Sequence, residues 1–172
     1  AMKLGSVMPW QQAADYIRGN STEADKIYVW GWFPGVYVRA QRLSPAATAF
    51  ESEMHVRAPE ALGALMEQLI EDFERDKPKF LLDSRKYEFP WDRPPLALWP
   101  TTPDGRLVRG KPEDINTFNQ AYGDMLKQQY GQDEAGRYAA MKVMRDYVMA
   151  NYDIVGVFGE HVLYERKAEK QD

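Results

Sequence analysis

Apolar residues recur at helical spacing over residues 9–18, where Trp10, Ala13, Ala14 and Ile17 share a face behind Pro9 in the first turn. Gly19-Asn20-Ser21 stops that helix. The pattern then changes period. Residues 26–32 carry Ile-Tyr-Val-Trp, a short strand rich in β-branched and aromatic side chains. Residues 35–42 predict a short helix against it. Residues 44–58 are ambiguous, with 49–56 a candidate second strand. Residues 59–75 predict the clearest helix, a stripe of Leu62, Leu65, Met66, Leu69, Ile70 and Phe73 behind Pro59. Residues 79–83, Lys-Phe-Leu-Leu-Asp, predict a strand after the Asp76-Lys77-Pro78 break.

From Ser84 to about Pro112 the periodicity disappears into a stretch rich in proline and aromatic residues. Irregular stretches of this length inside a domain tend to carry function. Helices follow over 113–130 and 133–151. Two strands over 154–158 and 161–166 flank Gly159-Glu160, a hairpin signal. The alternation of strands and helices predicts an α/β fold: a three-layer α/β/α arrangement with a small, mostly parallel sheet and a C-terminal antiparallel hairpin. One domain over residues 3–167 is expected. Residues 168–172 read as a polar tail, and Ala1-Met2 as an expression remnant ahead of a piece cut from a longer protein.

Composition narrows the function classes. The net charge of −4 argues against general nucleic-acid binding, which needs a basic excess. The chain has no cysteine, which removes disulfides, zinc–thiolate sites and thiol chemistry. No apolar run approaches the roughly 20 residues of a bilayer span. Neither a G-x-G-x-x-G fingerprint after the first strand nor a Walker-type phosphate loop is present, so no cofactor is expected. His55 and His161 lack ligand spacing, and no metal or catalytic set is assigned.

The chemistry that remains gathers at two strand ends. In parallel sheets ligands bind beyond the carboxyl ends of the strands. The segments leaving residues 26–32 and 79–83 supply aromatic faces (Trp30, Trp32, Tyr37, Trp91), cations (Arg39, Arg42, Arg85, Arg93) and the carboxylate of Asp83. Flat rings with charged groups suit a sugar or phosphosugar. These nine residues are the candidate substrate-binding set. Against this stands the ordinary reading, in which the aromatics pack the loops and the charges form a solvated rim.

The motifs also resemble a family. Tyr16-Ile17-Arg18-Gly19-Asn20, then Ile27-Tyr28-Val29-Trp30-Gly31 with Pro34 and Tyr37, then Pro78-Lys79-Phe80-Leu81-Leu82-Asp83, and finally Tyr152 and Leu163-Tyr164-Glu165-Arg166, are similar to the soluble tails of bacterial C-type membrane glycosyltransferases akin to dolichyl-phosphate-mannose protein mannosyltransferases. The resemblance implies a soluble, Rossmann-like accessory domain of a polytopic enzyme that moves a sugar from a polyprenyl-phosphate donor. It would be tethered on the periplasmic or extracytoplasmic face of the inner membrane, with its own membrane-embedded domain as partner and a glycan or polyprenyl-phosphate sugar nearby. It would shape the acceptor side or brace the membrane core. The family's catalytic carboxylate lies in an early external loop that has no counterpart here, so no catalytic residue carries over. Two alternatives stay open. A non-catalytic carbohydrate-binding module would need Trp30, Trp32 and Trp91 to face solvent. A stand-alone α/β enzyme on a phosphorylated small molecule would need a pocket where Asp83 or Asp92 meets Arg39 or Arg85 with a perturbed pKa.

Overall fold

A computed structural model describes residues 6–31, 33–47, 56–85 and 112–168. The elements run α1 (Pro9–Gly19), β1 (Ile27–Trp30), α2 (Gly35–Ala40), α3 (Pro59–Asp76), β2 (Phe80–Asp83), α4 (Pro112–Tyr130), α5 (Gln132–Ala140), α6 (Lys142–Asn151), β3 (Tyr152–Phe158) and β4 (His161–Arg166). The candidate strand over 49–56 falls almost wholly outside the described residues, as does most of the irregular stretch after Arg85.

One four-stranded sheet has the order β1-β2-β4-β3. β1 and β2 are parallel, whereas β2–β4 and β3–β4 are antiparallel. The fold is α/β as expected, but its sheet is mixed rather than mostly parallel. The cause is the terminal hairpin, whose second strand inserts beside β2 and makes two of the three strand pairings antiparallel.

Side-chain alternation divides the sheet into two faces. Tyr28, Trp30 and Leu81 of one face pack with Leu62, Met66, Leu69 and Phe73 of α3 and with Met144 and Val148 of α6. Ile27, Val29, Phe80 and Leu82 of the other face pack with Ala13, Ala14 and Ile17 of α1 and with Val36, Tyr37 and Ala40 of α2. All four residues of β1 and all four of β2 are therefore buried, which explains their continuous apolar runs.

β1 is a sheet edge, yet its outward amides are occupied. Ile27 N–H donates to the Leu43 carbonyl at 3.0 Å. Val29 N–H donates to the Tyr37 hydroxyl at 2.8 Å. The α2 turn thus closes an edge that would otherwise offer free strand-pairing groups.

The helix expected over 133–151 is two helices. Met141, at φ −83° and ψ −4°, stays in the right-handed region and marks the junction between α5 and α6. The side chains of Ile115 and Phe118, within the helix predicted over 113–130, lie outside the described ones.

Candidate functional site

The parallel register sets Trp30 beside Asp83, the last residues of β1 and β2. Two segments more than fifty residues apart in sequence thus end side by side. β4 brings Val162 against Asp83 from the other flank, with Tyr164 one pair further along the same face.

Ser84 stitches the two ends together. Its amide donates to the Trp30 carbonyl at 3.1 Å and its hydroxyl donates to the same oxygen at 2.7 Å. Gly31 has to be glycine at this crossing. Its φ of +102° is a region that L side chains avoid, and an added Cβ would stand 2.4 Å from Ser84 Oγ. The Ser84 carbonyl accepts from His161 Nδ1 at 2.6 Å, which fixes the imidazole tautomer if the ring is neutral. The imidazole also stacks obliquely on Phe33, with ring centroids 5.5 Å apart.

Beneath this stitch lies a buried charged group. Asp83 is fully buried and lies on the face of the sheet that packs against α3. Its Oδ1 accepts from the Arg85 amide at 3.0 Å, a contact made as Arg85 takes a left-handed φ of +46°. Oδ2 has no hydrogen-bond partner among the described residues and lies 3.9 Å from Arg85 Nε. Burial pushes the Asp83 carboxyl up to about 7, opposed by the Arg85 charge and by the amide hydrogen bond. Burial and the neighbouring Asp83 charge both raise the Tyr164 hydroxyl. Nε and Nη2 of Arg85 and Nε1 of Trp30 are also buried without hydrogen-bond partners among the described residues. Buried polar groups ordinarily find partners, and these stand without a hydrogen-bond partner among the described residues.

Chemically, Asp83 near neutrality can donate or accept a hydrogen bond. With Arg85 beside it, the pair can hold a hydroxyl next to a negatively charged or carbonyl oxygen. No group of three His, Cys, Asp or Glu side chains suited to a metal ion occurs among the described residues.

Of the nine residues predicted from sequence, the structure brings Trp30, Asp83 and Arg85 together. Trp30 is fully buried between β2 and α3 and offers no open stacking face, contrary to what the binding-module reading requires of it. Tyr37 lies under β1 with its hydroxyl on the Val29 amide. Arg39 forms a two-pronged ion pair with Asp15 of α1, both contacts at 2.8 Å. Arg42 is buried and makes five hydrogen bonds, to Ser21 Oγ and to the carbonyls of Ala40, Gln41, Arg18 and Ser21. It clamps the end of α2 onto the turn after α1. Trp32, Trp91 and Arg93 lie outside the described residues. Sequence reasoning missed Ser84, His161 and Tyr164. The signal that could have found them is the polar step directly after the apolar run of β2, together with the placement of β4 next to it.

No family model matches the chain, and no curated protein matches it. Two solved structures resemble it, both of the C-terminal globular domain of oligosaccharyltransferase from Archaeoglobus fulgidus. One is 12% identical with a TM-score of 0.45, covering 95% of this chain and 100% of that one. The other is 6% identical with a TM-score of 0.42, covering 97% and 100%.

Proposed function

We propose that the chain is a non-catalytic accessory domain of a polytopic membrane glycosyltransferase. In this reading it stands on the extracytoplasmic face, and the Trp30–Asp83–Arg85 edge lies toward the acceptor. One observation carries the proposal. The two motifs that resemble the family's soluble tails, Ile27–Gly31 and Pro78–Asp83, are register partners whose ends share one buried polar cluster. These groups are buried without hydrogen-bond partners among the described residues, and such groups call for an explanation beyond core packing.

The test uses the complete parent protein in lipid nanodiscs and the 172-residue chain alone, each with a polyprenyl-phosphate sugar and an acceptor. Transfer is expected only from the complete protein. Asp83→Asn in it should lower turnover at limiting acceptor, with a smaller effect at saturating acceptor. Transfer by the isolated chain, or a parent with no membrane-embedded part, would overturn the reading.

A second reading is favoured by a specific observation. A stand-alone enzyme on a phosphorylated small molecule requires a pocket where a carboxylate of perturbed pKa meets a cation, and Asp83 with Arg85 supplies the pairing part of that requirement. Activity of the isolated chain on phosphorylated compounds, abolished by Asp83→Asn, is the result that selects it.

A further inference from the structure

A second polar concavity lies away from the strand edge, in a hollow of about 460 Å³ between α4, α5 and α6. Arg145 lies along it and is 2% exposed. Its guanidinium stacks on the Tyr138 ring, 3.9 Å from carbon to centroid. Nη1 donates to the Tyr138 carbonyl at 2.9 Å. Nη2 is buried with no hydrogen-bond partner, and no carboxylate comes within 4 Å of the guanidinium among the described residues. Arg137, one helix earlier, shows the ordinary arrangement: it is buried and grips Glu134 with two nitrogens. A buried arginine is normally matched in this way, because desolvating an unpaired charge is costly.

The rest of the hollow is built to the same sign. Lys127 and Lys142 line it, and Asp124 is the one acid among its described lining residues. Lys127 makes no ion pair among the described residues, while Lys142 pairs with Asp146 outside the hollow. Asn119 Oδ1 accepts from the Tyr138 hydroxyl at 2.5 Å, which leaves its amide nitrogen as a donor. Three cations against one acid is a local positive excess in a chain of net charge −4.

We propose that this hollow binds a small phosphate monoester, with the phosphate on Arg145 and the ester's hydroxyl groups on the side-chain amides of α4. A dianion with three acceptor oxygens can take donors from Arg145, Lys127 and Asn119 at once, whereas a carboxylate offers only two oxygens in one plane. The volume lies within the range of small-ligand pockets, roughly 300–1,000 Å³. The assignment is independent of the function proposed above, since none of its residues belongs to the strand edge.

The experiment is a two-dimensional amide NMR titration of the 172-residue chain at constant ionic strength. The probes are glucose 6-phosphate, inorganic phosphate, glucose and acetate. Saturable shifts around Asn119, Tyr138, Lys142 and Arg145 are expected with the two phosphates, tighter for the ester, and none with glucose or acetate. Lys127→Gln, an exposed substitution, should weaken the ester by about tenfold, or ~1.4 kcal/mol. Arg145→Lys should weaken it further with the fold retained, since an ammonium cannot reproduce the fork. Shifts that grow linearly without saturation, acetate binding as tightly as phosphate, or unchanged affinity in Lys127→Gln would each overturn the proposal.

Discussion

The hydroxyl of Ser84 fills the space that a side chain on Gly31 would need, standing 2.4 Å from the position of an added Cβ. The same hydroxyl donates to the carbonyl of Trp30, the residue before that glycine. The two positions are therefore coupled. Gly31→Ala should destabilise the chain by about 2–4 kcal/mol, from the positive φ and the collision together. Ser84→Ala alone should cost about 1 kcal/mol for the lost hydrogen bond. In the double variant the losses should sum to less than the two singles, because removing the hydroxyl relieves the collision. Urea denaturation of all three checks this, and strict additivity would refute the coupling.

Asp83 gives stability a distinctive pH dependence. Its carboxyl is held near 7 in the folded chain against an ordinary value of 3.8, so the folded state keeps its proton over a range where the unfolded state has lost it. The contribution is fully present below the unfolded value and is lost as the pH rises through the folded one. Between these limits this group makes stability fall with pH, by up to about 1.4 kcal/mol per pH unit. Asp83→Asn keeps an oxygen for the Arg85 amide and removes the titration. The stability difference between wild type and Asp83→Asn should therefore shift in favour of the variant from about pH 4 to pH 7 and then level off. A difference that stays flat across this window would show that folding does not penalise the charged form of Asp83.

Tyr37 and Val29 offer a simpler test. Tyr37→Phe keeps the ring and deprives the buried Val29 amide of its acceptor. A loss of about 1–3 kcal/mol is expected, the desolvation cost of an unsatisfied amide. Hydrogen exchange should show the Val29 amide losing protection before those of β2.

The two arginines at the end of α2 should separate clearly. Arg42→Lys should destabilise by about 2–4 kcal/mol, because no ammonium can reach the carbonyls on both sides of the clamp. Arg39→Ala should leave the thermal midpoint near wild type, since its ion pair with Asp15 is solvent-exposed.

That contrast also shows what the sequence carries and what it does not. Arg39, Arg42 and Arg85 look equivalent along the chain, yet one pairs on the surface, one clamps a turn and one faces a buried carboxylate. Their roles depend on long-range packing that no local pattern records. The stripe of α3 and the apolar runs of β1 and β2 were legible, because periodicity reports burial directly. The junction at Met141 was not, since that residue keeps right-handed backbone and leaves the apolar stripe around it undisturbed. The position of β4 was not legible either, and with it went the chance of seeing His161 at the site. A hairpin signal gives the pairing of two strands and says nothing of which neighbour they join.

The strand order has a consequence for how the chain comes to be folded. β2 lies between β1 and β4, and the second of these neighbours is the last of the described strands along the chain. Until residues 161–166 leave the ribosome, one flank of β2 has no hydrogen-bonded neighbour, and β3 has nothing to pair with. The sheet therefore completes only after nearly all of the described chain is available, from contacts distant in sequence, which favours slow closure. A nascent intermediate with a bare apolar strand edge is a target for aggregation or chaperone capture.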